Sequence, residues 1–323
     1  MEAAPESLLR SPLREGSFRI LLGYRLFAIL SYQIVAVTVG WHVYELTRDT
    51  FALGLVGLAE VLPYIGMALF AGYLVDHLPK RRLGALATAG LCATAVLLML
   101  VAAGRIAPGA TWPIYAAIVL TGLVRAFLTP VYTALFARVL PRAQFARGAS
   151  IGSVAFQIGL VCGPALGGLL VGLAGKTVAY GVAAALALAS GAVLLALRVE
   201  EPPAAGPRAP VFASIGEGLR FVFGNQVMLG AQALDLFAVL FGGAISLAPA
   251  FIHEILHYGP EGLGILRAAP ALGAVVVGLV LARHTPGRNA GRLLLWAVAG
   301  FGLCIIGFGL SRHFWLSAFF LLL

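Results

Sequence analysis

Gly72-Tyr73-Leu74-Val75-Asp76-His77-Leu78-Pro79-Lys80-Arg81-Arg82-Leu83 is a charged turn between two long apolar runs. The run before it covers residues 51–75 and the run after it residues 83–103. Each is long enough to cross a bilayer, which takes roughly 20 mostly apolar residues. The stretch reads as a short loop joining two membrane helices, and the rest of the chain can be laid out on either side of it.

Hydrophobic residues make up 61% of the chain and charged residues 11%, less than half the ~25% charged share of a soluble domain. Such a chain must be solvated largely by lipid. Its formal charge of +9 lies in short loops between apolar runs, neither gathered in a patch nor interleaved with aromatics. That excludes a nucleic-acid surface and assigns the charge to topology. Cys92, Cys162 and Cys304 each sit inside an apolar run, so no disulfide framework or thiolate metal site is readable. A polar start carrying Arg10 and Arg14 leads into a run too long for a signal peptide and without a small-residue cleavage site, so it is expected to be kept as the first helix.

Further runs at 20–44, 112–137, 149–173 and 177–197 bring the number to six before the texture changes. Glu200-Glu201-Pro202-Pro203 through Pro210 has neither helical period nor apolar content and reads as a linker. In it, Ser214 and Glu217 have capping-box spacing, and Phe212, Ile215, Leu219 and Val222 recur at helical intervals, predicting a short helix on the membrane surface. Runs at 227–252, 263–282 and 293–310 follow, and a last one begins at Phe314. The expected organisation is a six-helix bundle over 1–198, a linker with an amphipathic helix over 199–226, and an incomplete second bundle over 227–323. The fold class is an all-α membrane protein with about nine full transmembrane helices.

Charge placement tests this map, because cytoplasmic loops carry the excess of Lys and Arg. One set of alternate loops holds Arg10, Arg14, Arg19, Lys80, Arg81, Arg82, Arg138, Arg142, Arg147, Arg198, Arg208, Arg220, Arg283, Arg288 and Arg292. The other holds Arg48, Arg105, Lys176 and Arg312. The amino terminus and the Gly72 loop are therefore expected in the cytoplasm. A repeat agrees with the two-bundle reading: Gly57-x-x-Glu60-x-x-Pro63-x-x-Gly66 recurs 207 residues later as Gly264-x-x-Arg267-x-x-Pro270-x-x-Gly273. Two halves of that length imply about 400 residues, so a 323-residue chain is expected to stop within helix 10.

The loop pattern of Gly72, Asp76, Lys80, Arg81 and Arg82 resembles the signature between helices 2 and 3 of the major facilitator superfamily. Helix 5 carries Gly159-x-x-x-Gly163-Pro164-x-x-Gly167-Gly168, which resembles that superfamily's antiporter motif. Arg125-Ala126-Phe127 with Pro130, and Gly163-Pro164-Ala165-Leu166-Gly167-Gly168, look most like the bacterial branch that includes the enterobactin exporter and macrolide-efflux permeases. The resemblance implies the major facilitator fold, and a carrier in the bacterial inner membrane that expels a small organic molecule, such as a drug or siderophore, in exchange for protons. It also implies that Asp76 and the basic cluster latch the two halves on the cytoplasmic side. The chain departs from the usual pattern at His77-Leu78-Pro79, and at Leu128-Thr129-Pro130 after Arg125.

Ionisable residues within apolar runs are costly unless they face a cavity or a partner, so Arg25, Glu60, Arg125, Asp235 and Arg267 are functional candidates. Arg25 lies near the end of its run and can snorkel. Glu60 and Asp235 lie deeper, where low dielectric penalises a bare carboxylate, and each is a candidate proton carrier. A static pairing of Glu60 with an Arg is the competing reading. The glycines of helix 5 make a flat face for close helix contact, and Pro164 bends the helix there. Gly175-Lys176-Thr177 ends like a phosphate-binding loop, but Leu170 stands where the first Gly is needed, so no nucleotide hydrolysis or other enzyme activity is expected. His253 and His257 sit one turn apart near Glu254 and Glu261 without a third firm ligand, and an interfacial loop is expected there rather than a metal. No cofactor is expected. The expected partners are lipid, protons and a small organic substrate bound in a midplane cavity between helices 1, 4 and 7, with the protein a monomer. The alternatives are an importer of the same fold, a non-transporting membrane sensor and an inactive fragment.

Overall fold

The computed structural model describes residues 12–199, 216, 220, 222–242, 247–283 and 290–323. The first helix, α1 (Gly16–Thr47), ends at Arg48, whose left-handed backbone (φ 51°) returns its N–H to the Tyr44 carbonyl. Asp49 then opens α2 (Thr50–His77) by accepting from the Phe51 N–H at 2.9 Å, the usual way a short acid satisfies a helix N-terminus. Pro79 separates α2 from α3 (Lys80–Ala102), so the opening loop is a tight turn with its basic residues inside the first turn of the next helix. The fourth helix is α4 (Trp112–Val139).

Residues Phe145–Leu195 form one hydrogen-bonded run of 51 residues, more than twice what a crossing needs. Gly175 breaks it: φ 85° with ψ 168° is open to glycine and strained for any side chain. The run is thus two crossings, α5 (145–174) and α6 (176–195). Then come α7 (Gln226–Gly242), a short turn Ala248–Phe251 that runs into a π-helical turn at Ile252–Leu256, α8 (Pro260–Arg283), α9 (Ala290–Leu310) and α10 (Phe314–Leu322). The helix expected over 227–252 is interrupted in its description, because 243–246 lie outside the described residues. The predicted linker and its surface helix also fall largely outside them. Among the described residues, seven helical segments are long and apolar enough to cross a membrane, the double run counting as one. Large apolar side chains such as Leu62, Leu173, Leu188 and Trp296 stand exposed around these helices. Lipid rather than water suits such a surface.

The first six helices pack on one another through small residues. α1 lies between α5 and α6, where the Ser31 and Ser190 hydroxyls tie the helices by donating to the carbonyls of Ala183 and Tyr24, each at 2.8 Å. α2 meets α4 at Gly122, where a Cβ would collide with the Glu60 carbonyl. Near the basic loops, the Arg81 guanidinium donates to the Leu197 carbonyl at 2.8 Å, placing a cation at the exit of α6. At the opposite end, Lys176 pairs with Glu45 at 2.7 Å. These two contacts define a basic end and a far end of the bundle. The later helices pack α8 on α10 at Gly273 and α9 on α10 at Gly307.

Candidate functional site

Glu60 and Arg125 meet because the α2–α4 crossing is so close. Gly122, one turn before Arg125, brings the α4 backbone against that of Glu60. Arg125 then pairs with Glu60 Oε1 at 2.6 Å, and the Tyr32 hydroxyl of α1 donates to the same oxygen at 2.8 Å. The Arg125 guanidinium also covers the Tyr32 ring at 4.5 Å and the Tyr64 ring at 5.1 Å. One carboxylate thus joins three helices. The Glu60 side chain is 15% exposed and that of Arg125 38%, so the pair is reachable rather than sealed.

It borders a cavity of about 220 Å³ whose walls include Arg25, Tyr32 and Gln33 of α1, Tyr64 of α2, Arg125 of α4 and Phe156 of α5. The expected walls were helices 1, 4 and 7. Helices α1 and α4 take that place, and α2 and α5 also line it, while among the described residues none of α7 does. Arg25 does not snorkel away: its guanidinium lies 4.1 Å from the Tyr132 ring centroid and 4.9 Å from that of Phe156.

The other candidates are placed apart. Asp235 is exposed on α7, and among the described residues it has no partner and no share in the cavity. Arg267, at the repeat position matching Glu60, reaches back to α1 and donates to the Ala36 carbonyl at 2.9 Å. Gly72 and Asp76 lie on an exposed face of α2, and Arg82 is exposed. Lys80 is buried, and Arg81 is used at the α6 exit.

The helix 5 motif divides its work. A Cβ at Gly159 would lie 2.6 Å from Ile29, one at Gly163 2.5 Å from Gln33, and one at Gly167 3.2 Å from the Ile34 Cα, all along α1. Gly168 faces α8 instead, where a Cβ would lie 2.5 Å from the Pro260 carbonyl oxygen and 2.7 Å from Gly264. Gly264 in turn lies against the Pro164 carbonyl, so Pro164 and Gly168 form the seat for α8.

Two further links escaped the sequence reading. Arg48, at the end of α1, approaches His253 at 2.8 Å, and the Tyr44 hydroxyl donates to Glu254. His253 and Glu254 stood out only as a loose metal-like group, and nothing in their spacing names a partner some 200 residues earlier. Among the described residues, no group of three or more His, Cys, Asp or Glu is placed to hold a metal.

These contacts between the early and late helices use α1 from residue 36 onward and α5 from residue 164 onward. The cavity uses α1 residues 24–33 and α5 residues 156–160. The two groups of helices are therefore joined at the far end, with the cavity on the basic side of the join.

A cavity carrying two guanidinium groups in a bundle of membrane helices, and a second group of helices that meets the first at a glycine seat, define a transporter of the major facilitator type. Solved structures agree on the fold. A bacterial homologue of the human lysosomal transporter Spinster superposes with a TM-score of 0.71 at 17% identity, covering 95% of this chain and 72% of that one. A D-xylose–proton symporter gives 0.64 at 14% identity, covering 94% and 80%. The chain belongs to the transmembrane secretion effector family of that superfamily, which it matches over residues 8–323. Among its relatives are the enterobactin exporters of Shigella boydii and Citrobacter koseri, each 28% identical over 306 residues that span 91% of this chain and 70% of the exporter. It is a multi-pass membrane transporter whose relatives include exporters, not enzymes.

Proposed function

We propose that this protein exports a small organic molecule across the bacterial inner membrane by alternating access, in exchange for protons carried by Glu60. The observation that carries the reading is the carboxylate of Glu60 at lipid depth, held by Arg125 and Tyr32 at the edge of the cavity. Charge at that depth is retained where it has work to do. Adding a proton to Glu60 removes the ion pair and loosens the joint between α1, α2 and α4. Loss of the proton restores it. Asp235, exposed and apart from the cavity, is the weaker proton carrier of the two.

With the basic end in the cytoplasm, as the positive-inside rule places it, the structure is the cytoplasm-facing state: far-end contacts closed, cavity below them. Asp76, Gly72 and the basic cluster then lie where a cytoplasmic latch would form in the opposite state. The exporter relatives support outward transport, and enterobactin, the molecule they are named for, makes siderophores the first compounds to try.

The test is proteoliposome transport driven by a pH gradient, with siderophores and lipophilic dyes as cargo. Wild type is expected to move cargo against its gradient in exchange for protons. Glu60→Gln is expected to lose the pH-driven component while still exchanging labelled for unlabelled cargo. Undiminished pH-driven transport by Glu60→Gln overturns the role of Glu60, and proton-driven uptake in the opposite sense overturns export.

A further inference from the structure

We infer that the cavity receives an anionic aromatic molecule, and that Arg25, with the Tyr132 hydroxyl beside it, binds its anionic group. The inference rests on the transporter reading of the same cavity and names the class of its cargo.

The charge of the site is lopsided. Two guanidinium groups, Arg25 and Arg125, line the cavity, and among the described residues the lining holds no carboxylate. Glu60 answers Arg125 from behind it. Among the described residues no acidic side chain comes within ion-pair reach of Arg25, and its guanidinium is held only by its faces, on the rings of Tyr132 and Phe156. Stacking occupies the π surface and leaves the N–H groups at the edge of the fork unspent.

One other donor stands beside Arg25. The Tyr132 hydroxyl is buried and has no hydrogen-bond partner among the described residues, and Tyr132 lines the cavity. A buried hydroxyl without a partner is an expensive arrangement in a folded protein. At Gly152 a Cβ would collide with the Tyr132 hydroxyl and lie 3.4 Å from Arg25 Nη1, so these two donors share one small volume. A planar guanidinium beside a neutral O–H donor suits a carboxylate, sulfonate or phenolate. The remaining walls, Ile29, Tyr32, Tyr64, Leu128, Phe156 and Leu160, offer apolar and aromatic surface for a ring system. The same positive charge disfavours cationic amphiphiles.

Binding can be measured without transport, on the protein in lipid nanodiscs, with three probes that share one ring system: 2-naphthoate, 2-naphthamide and 2-naphthylmethylammonium. Calorimetry is expected to show 2-naphthoate bound about ten-fold more tightly than the amide, as a charge-assisted bond allows, and the ammonium not competing. Arg25→Gln is expected to remove that preference while leaving the amide within about two-fold, and Arg25→Lys to keep part of it. The amide serves as the folding control. Tyr132→Phe, which keeps the ring under Arg25 and removes the hydroxyl, is expected to weaken 2-naphthoate alone. Equal affinity for all three probes, no binding of 2-naphthoate by folded wild type, or equal losses for naphthoate and amide in Arg25→Gln overturns the inference. Tight 2-naphthoate binding without counterflow would instead sink the export reading and leave this one standing.

Discussion

At Glu60 the question is whether the carboxylate is there to hold the fold or to change state. Its geometry serves both, since Arg125 and Tyr32 share one of its oxygens. Partial exposure separates the contributions. A fully buried pair that loses one partner costs about 3–5 kcal/mol, whereas an exposed pair is worth under about 1 kcal/mol. With Arg125 more than a third exposed, a coupling energy of about 1–3 kcal/mol is expected from a double-mutant cycle of Glu60→Gln and Arg125→Met, read by thermal unfolding in nanodiscs. A coupling near zero would mean that the pair does not join α2 to α4. Glu60, Arg125 and Arg267 were legible as candidates because charge at lipid depth is rarely accidental. Their pairings were not, since Glu60 and Arg125 are 65 residues apart and their meeting depends on Gly122. Tyr32 and Tyr64 resembled any lipid-facing aromatic until the structure placed them under a guanidinium.

Among the elements, α5 shows what a glycine pattern can and cannot say. The repeat of glycines announces a close helix contact but not with whom. Gly159, Gly163 and Gly167 lie along α1, a contact within the first six helices, while Gly168 alone turns to α8. Only the second contact joins the two groups of helices, so substitutions one residue apart have different consequences. Gly163→Leu is expected to destabilise the fold by about 1–3 kcal/mol through overpacking against Gln33. Gly168→Leu is expected to leave the unfolding transition closer to wild type and to open the far end instead, where α8 can move away as a unit. Electron–electron distance measurements between labels on α5 and α8 would show a longer far-end distance in Gly168→Leu than in wild type. An unchanged distance with a collapsed stability would assign both glycines to the same structural role. The break between α5 and α6 was legible for a simpler reason, since the apolar run is too long for one crossing and Gly175 stands at its middle.

For the molecule as a whole, alternating access requires the contacts that close one end to be weak enough to break in every cycle. The far end meets that condition. Its polar links are Arg48 with His253, Tyr44 with Glu254 and Arg267 with the Ala36 carbonyl, around the glycine seat of α5 and α8. Typical hydrogen bonds contribute about 0.5–1.5 kcal/mol each, so removing the first two together shifts the balance between states by about 1–3 kcal/mol, or roughly 5–150-fold in population. Val37 reports the shift, being buried against the later helices in the closed far end. With Cys92, Cys162 and Cys304 replaced and Val37→Cys introduced, a membrane-impermeant thiol reagent added outside right-side-out vesicles is expected to react slowly. Adding Tyr44→Phe and Arg48→Gln should raise that rate by a similar factor, and adding the reagent from inside should separate the orientation from the opening. If the outside rate does not respond, the Arg48 and Tyr44 links are not what holds the two groups of helices together, and closure rests on Arg267 and the α5–α8 seat.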